Sequence, residues 1–310
     1  MSRTTVAALM GAAPLAISEI GLPMLGLNLP AQEVAALPSI QAAGEGITFE
    51  RGQRFAIHRG IAYVPVNGIL TPNSAVLERF LGWSTYHGLA ETMAAIMASD
   101  EVQAAALLFD TPGGSVVGIQ AAIEAIRAAV LVKPVHALVN PLAASAGYWL
   151  ASQCSDITLT PGGWVGSVGT MLTGAQPMQP GSGGDQVFIQ TSAHAGAKRP
   201  DLSSEEGQRL SQIRLDQMEA EFLADVAEGR GIAAGDVPGR MSRTDSDADG
   251  GDVFWGQDAI DRGLADGQET LAEFLTRIAE VYAPQPQSQT RRRSGAYLAK
   301  ARAAQAQASL

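Results

Sequence analysis

The chain of 310 residues is poor in cysteine, lysine, histidine and aromatic residues: one cysteine (Cys154), three lysines against eighteen arginines, four histidines and 5% aromatics. A lone cysteine excludes an intramolecular disulfide and the usual clustered-cysteine zinc sites, and it fits a reducing compartment. No metal and no cofactor are expected. Long apolar runs are missing as well. No uninterrupted stretch reaches the roughly eighteen residues of a membrane-spanning helix, so no membrane is expected. Residues 4–17 are apolar enough to suggest a signal peptide, but Arg3 is a thin basic region and Gly11 and Pro14 interrupt the run. They read instead as the start of an N-terminal arm.

What is present is a chain of ordinary enzyme composition, 46% hydrophobic and 17% charged, long enough to bury one substantial core with appendages. Its net charge of −10 is unevenly spread, because the last 28 residues hold Arg291, Arg292, Arg293, Lys300 and Arg302 and no acid. An acidic body argues against general nucleic-acid binding. The basic tail is left as a solvated segment or a contact for DNA or an acidic partner.

The most informative stretch is 143–151, Ala-Ala-Ser-Ala-Gly-Tyr-Trp-Leu-Ala. It sets one hydroxyl, Ser145, among residues with almost no side chain, after the strand-like run Val135 to Val139 and at the start of a helix-like run. Free backbone N–H groups at such a helix start favour a developing oxyanion. Earlier, the apolar run Ala105 to Phe109 ends in Asp110-Thr111-Pro112-Gly113-Gly114, whose glycines bring bare N–H groups close to a substrate. Either motif alone is a common packing device in α/β proteins. Paired at the ends of two buried strands, they read as a nucleophile and an oxyanion hole.

A serine hydroxyl needs a neighbouring proton acceptor. His58, His87 and His136 read as surface or core histidines, and His194, in a polar glycine-containing stretch, is the hardest of the four to set aside. Among the lysines, Lys133 lies in a helix-to-strand connection and Lys300 in the tail, which leaves Lys198 in Ala195-Gly196-Ala197-Lys198. An amine can lose its proton where a guanidinium cannot, so a lysine in an arginine-rich chain suggests that need.

The ordered motifs Asp110-Thr111-Pro112-Gly113-Gly114, Ser145-Ala146-Gly147-Tyr148, Gly166-Ser167-Val168-Gly169 and Gly196-Ala197-Lys198 resemble the signal-peptide peptidase A (protease IV) family of Ser-Lys peptidases, and within it the phage head-maturation proteases of the minor capsid protein C type. Phe222 to Gly231 and Trp255 to Asp266 fit the same pattern, so the likeness runs from about residue 60 to 268. It implies Ser145 as nucleophile, Lys198 as general base, and the backbone N–H groups of Gly114 and Ala146 as the oxyanion hole. Ser167 falls where the family has a serine that orients the lysine; a turn serine between glycines is the competing reading. The chain departs from the family between Met171 and Gln186, where Pro177, Pro180 and Gly181-Ser182-Gly183-Gly184 replace an expected strand and helix.

Strand candidates from Ile61 onward alternate with helical segments at 85–98, 116–131, 145–153 and 203–229, followed by an amphipathic helix through Leu271, Phe274, Leu275, Ile278, Val281 and Tyr282. Such alternation gives an α/β fold, which the resemblance narrows to the Clp peptidase and crotonase-like spiral fold, a single repeat with N- and C-terminal extensions. The expected division is an N-terminal arm over 1–56, a Ser-Lys peptidase domain over 57–282 and a flexible basic tail over 283–310. The resemblance further implies a homo-oligomer acting on peptide or protein substrates, namely capsid, portal or scaffold proteins, in the host-cell cytoplasm inside assembling proheads. The alternatives are a cellular signal-peptide peptidase and a catalytically silent capsid or scaffold component. A Clp-type Ser-His-Asp peptidase expects a histidine about twenty-five residues after the serine, where this chain has Thr170.

Overall fold

The computed structural model describes residues 4–6, 14–29, 40–44, 47–50, 52–172, 192, 195–198 and 200–284. Its principal elements, in chain order, are the short strand β1 (Leu15–Ile17), β2 (Ala56–His58), β3 (Ile61–Asn67), α1 (Tyr86–Ala98), β4 (Ala104–Thr111), β5 (Gly113–Ser115), α2 (Ile119–Val130), β6 (Val135–Ala144), α3 (Ala146–Ala151), β7 (Asp156–Leu159), β8 (Trp164–Gly166), α4 (Glu205–Arg230), β9 (Val253–Trp255), α5 (Gly256–Asp261), β10 (Gly267–Gln268) and α6 (Leu271–Tyr282), with shorter strands before Ala56 and the helix Ala75–Leu81 besides. Eight strands form one sheet in the order β9-β8-β6-β4-β3-β2, with β7 and then β10 added beside β6. The central pairs are parallel, while β2 and β9 run antiparallel at the edges. This is the α/β architecture that the alternation predicts.

The central strands are mainly apolar because both faces are covered, with polar residues such as Asp110, Asn140 and the paired His136 as exceptions. Alternate residues go to opposite layers, as the two-residue repeat of a strand requires. Ala62, Val64, Val66, Ala105, Leu107, Phe109, Ala137 and Val139 join α1 and α2 in the main core. Ile61, Tyr63, Ala106 and Leu138 face Phe274 and Ile278 of α6. Thr85 caps α1 by accepting from the Gly88 N–H, and Thr270 with Glu273 forms a reciprocal capping box at the start of α6.

β6 runs well past the expected Val139. Its register shifts between Val139 and Leu142, around Pro141, which has no N–H to give the ladder. Before the shift β6 pairs with β7, and after it with β8. The strand thus leaves one neighbour for another just before Ser145.

Helix α4 is 26 residues long, opened by Ser204, which accepts from the Gly207 N–H, and closed by Gly231 in the left-handed conformation. Its C-terminal half holds the fold together. Phe222 stacks on Trp149 of α3 with ring centroids 4.1 Å apart. Asp225 accepts from Trp149 Nε1 at 2.8 Å, Gln120 Nε2 at 3.0 Å and Arg127 Nη2 at 2.9 Å. At its end, Arg230 makes a two-pronged contact with Asp266, which also accepts from the Ile157 N–H at 2.7 Å. Burial pushes the Asp266 carboxyl up, but the bonds from Arg230 and from Ile157 outweigh it and hold the group below its ordinary value.

Two outcomes follow for stability. Phe222 is fully buried, so Phe222→Ala should cost about 3–5 kcal/mol, read as a lowered urea midpoint. A carboxyl depressed in the folded state adds stability above its unfolded value near ~3.9 and loses it as pH falls through the lower folded value. The gap in urea midpoint between wild type and Asp266→Asn should therefore be present at pH 7 and close below about pH 4.

Candidate active site

Ser145 stands where β6 turns into α3, with φ 55° and ψ −120°. Non-glycine residues rarely adopt a positive φ, and such strain persists only where the surroundings enforce it. Two bonds do so here: the Ser145 N–H donates to the Gly166 carbonyl at 2.7 Å, and the Ser145 carbonyl accepts from the Trp149 N–H at 2.9 Å. The small neighbours are needed for space. A Cβ on Gly147 would lie 2.4 Å from Thr111 Cγ2. A hydroxyl on a sharp strand-to-helix turn is the arrangement that presents a nucleophile in hydrolases.

β5 lies against this turn. Gly113 has φ +105°, and a Cβ there would come within 2.9 Å of Ser145 Cβ and 2.2 Å of the Ala16 carbonyl; one on Gly114 would lie 2.0 Å from the Leu70 carbonyl. Only glycine fits either place. The Leu70 N–H donates to Gly113 O and the Ser115 N–H to Leu70 O, both at 2.9 Å. Strand alternation therefore turns the Gly114 N–H to the opposite side, where β1 runs antiparallel with Ala16 across from Gly114.

Ser167 follows the glycine that accepts from Ser145. It too has a positive φ, 54°, and its N–H donates to the Asp252 carbonyl at 2.6 Å. Ser145, Ala146, Ser167 and Gly114 are thus brought to one place, and all but Gly114 lie at or beside a strained serine. The sequence gives no sign of the two contacts that hold them, from the Gly166 and Asp252 carbonyls, because main-chain acceptors leave no residue signature. The cover by Leu15–Ile17 is equally unsigned.

Lys198 is placed differently. It is exposed in a single helical turn, Gly196–Lys198, whose Ala197 carbonyl accepts from Arg214 of α4 at 3.2 Å. Among the described residues its ammonium makes no hydrogen bond or ion pair, so the turn is not joined to Ser145 or Ser167 through the amine. The departing stretch with Pro177, Pro180 and Gly181-Ser182-Gly183-Gly184 lies outside the described residues, as do His194 and the tail. Of the other histidines, His136 pairs with Asp156 at 2.7 Å and exposed His87 with Glu91 at 3.1 Å, while His58 sits on β2. Thr170 donates its hydroxyl to the Leu215 carbonyl at 3.1 Å. Tyr148, behind the serine, donates to the Leu264 carbonyl at 3.1 Å, and burial pushes its phenol well above the ordinary value.

Among the described residues no group of three or more His, Cys, Asp or Glu side chains is arranged to hold a metal, and no helix is long and apolar enough to cross a membrane.

The chain is 29% identical over 270 residues to capsid assembly protease C of Escherichia phage lambda, covering 86% of this chain and 58% of that protein. It is 31% identical over 229 residues to head-tail preconnector protein GP5 of Enterobacteria phage P21, covering 73% and 44%. It therefore spans about half the length of these curated relatives. Protease 4 of Salmonella typhi is 28% identical over 189 residues, covering 58% of this chain and 28% of that protein. Among solved structures, a mutant of the 1510-N membrane-bound stomatin-specific protease matches with TM-score 0.43 at 15% identity, covering 70% of this chain and 83% of that one. The model of peptidase family S49 matches residues 128–283, which include Ser145, Ser167 and Lys198. The family likeness read from the glycine, serine and lysine motifs is borne out: the chain belongs to peptidase family S49.

Proposed function

We propose that this chain is a serine endopeptidase with Ser145 as nucleophile, Lys198 as general base, the N–H groups of Gly114 and Ala146 as the oxyanion hole, and Ser167 orienting the lysine. The observation that carries the reading is the strained Ser145 beside the side-chain-free backbone of Gly113 and Gly114. Ser145 Oγ attacks the peptide carbonyl while its proton passes to neutral Lys198. Gly114 and Ala146 hold the negative oxygen, the lysine returns the proton to the leaving amine, and water hydrolyses the acyl-enzyme.

A lysine amine with an ordinary value near ~10.4 is protonated at neutral pH, and desolvation is what lowers it. In the single chain Lys198 is exposed, so the base needs a closure of its turn or the surface of a neighbouring subunit. We place it at a subunit boundary in a homo-oligomer, where Lys198 of one copy meets Ser145 of another. The phage relatives, one named for capsid assembly and the other for the head-tail preconnector, favour capsid, portal or scaffold proteins as substrates over the signal peptides of a cellular enzyme.

Ser145→Ala, Lys198→Ala and Lys198→Arg should each lower peptide turnover at least about a thousandfold, with the Ser145→Ala/Lys198→Ala double variant little worse than either. A fluorophosphonate should label wild type at Ser145, whereas a silent shell component would stay unlabelled. Full activity in Lys198→Arg would remove the lysine from the mechanism. Mixing the two inactive single variants under subunit exchange should restore part of the activity; none, despite demonstrated exchange, places the pair within one chain.

A further inference from the structure

The strand Leu15–Ile17 lies against the site in the manner of a bound peptide. It pairs antiparallel with Gly113–Ser115 on one side. On the other, Leu15 and Met171 exchange two backbone bonds, at 3.0 and 2.9 Å. The Val116 N–H donates to Pro14 O at 3.1 Å and the Ser18 N–H to Pro112 O at 2.8 Å. Hydrogen-bonded pairs recur every second residue in an antiparallel ladder, so Ala16 and Gly114 are the pair between these two, and the Gly114 N–H is given to the Ala16 carbonyl. That carbonyl also lies against Gly113 on the side where Ser145 sits: a Cβ there would meet the Ala16 oxygen at 2.2 Å and Ser145 Cβ at 2.9 Å.

Side chains agree with the backbone. Leu15 and Ile17 pack with Ile69, Leu77, Trp83 and Met171, while Ala16 points the opposite way into the main core. Pro14 to Ser18 are all buried, and Ser145 beneath is only 1% exposed. An extended apolar–small–apolar peptide fills a slot one strand wide, bonded through its main chain to a partner on each side, as in recognition by strand addition.

We infer that residues 14–18 are an intramolecular occupant of the substrate groove, which shields Ser145 and takes the Gly114 N–H, and that a substrate strand must displace them to be cut. The inference rests on Ser145 and Gly114 being the catalytic pair proposed above. It also sets a preference: a competing peptide needs a small residue where Ala16 sits, flanked on both sides by apolar residues.

A reversible tether tests this within one polypeptide. Leu15 and Met171 are cross-strand partners about 5.5 Å apart at Cα, inside the range a disulfide spans, and the native Cys154 is buried. In a Ser145→Ala background, Leu15→Cys/Met171→Cys locks the segment when oxidised and frees it when reduced. Leu15→Asp/Ile17→Asp displaces it. The probe is a fluorescent peptide with the sequence of residues 14–20, read by anisotropy. The oxidised form should show no binding, the reduced form weak binding, and the displaced form binding at least about tenfold tighter than the reduced form, since tethering makes the segment an effectively millimolar competitor. The oxidised and reduced forms alone decide the question if the aspartate variant does not fold. Equal affinity in both redox states, or none in either with the near-ultraviolet circular dichroism intact, overturns the inference. Fluorophosphonate labelling of the same forms with Ser145 restored separates the two readings: peptide exclusion without labelling in any form supports the occupant and counts against the nucleophile.

Discussion

The absence of room beside Gly113 and Gly114 is the constraint on which the rest of the site depends. Between the Leu70 carbonyl and the Ser145 turn there is space for a backbone and nothing more. Because Leu70 takes the bonding groups of Gly113 and Ser115 on one side, Gly114 is left to face outward on the other. One crowded crossing therefore produces a directed N–H, a seat for an extended strand and contact with the serine. A side chain at either glycine would separate all three.

That crossing is held in place by the sheet. β4 delivers Thr111, whose hydroxyl donates to the Gly68 carbonyl at 2.6 Å and accepts from the Gly113 N–H at 3.1 Å, so the turn through Pro112 is fixed from within. β6 delivers Ser145 only after its register shift, because the last residues must leave β7 and pair with β8 to place Gly166 opposite the serine N–H. Helix α4 then anchors α3 from behind through the Trp149–Phe222 stack and Asp225. Local strain at Ser145 is thus maintained by long-range packing, the condition under which strained backbone persists.

Local patterns made much of this legible. The runs from Ile61, Ala105 and Val135 are apolar on both faces, and buried parallel strands read that way; the 3.6-residue spacing through Phe274 and Ile278 marks α6 as firmly. The serine turn was readable because only small residues fit it. Three things were not. The length of β6 was hidden by Pro141, which breaks a strand signal while only shifting the register of the strand itself. Leu15–Ile17 carries too short an alternation to announce a strand, and its partner is about a hundred residues away in sequence. Lys198 sits in a single exposed helical turn, Gly196–Lys198, too short to carry a periodicity that would show where it packs.

The energetics of residues 14–18 decide what kind of cover they form. Ordering five residues costs about 1–2 kcal/mol each, or roughly 5–10 in all. Burying Leu15 and Ile17 returns about 1.5–3 kcal/mol apiece, and four to six main-chain bonds add about 0.5–1.5 each. The two sides balance to within a few kcal/mol. A segment so placed is neither a permanent part of the core nor a free arm: it stays seated because it is joined to the chain, and a second strand making the same bonds can take its place. Its register with Gly114, rather than any large binding energy, is what makes it effective, since a single carbonyl on that N–H leaves no donor for another.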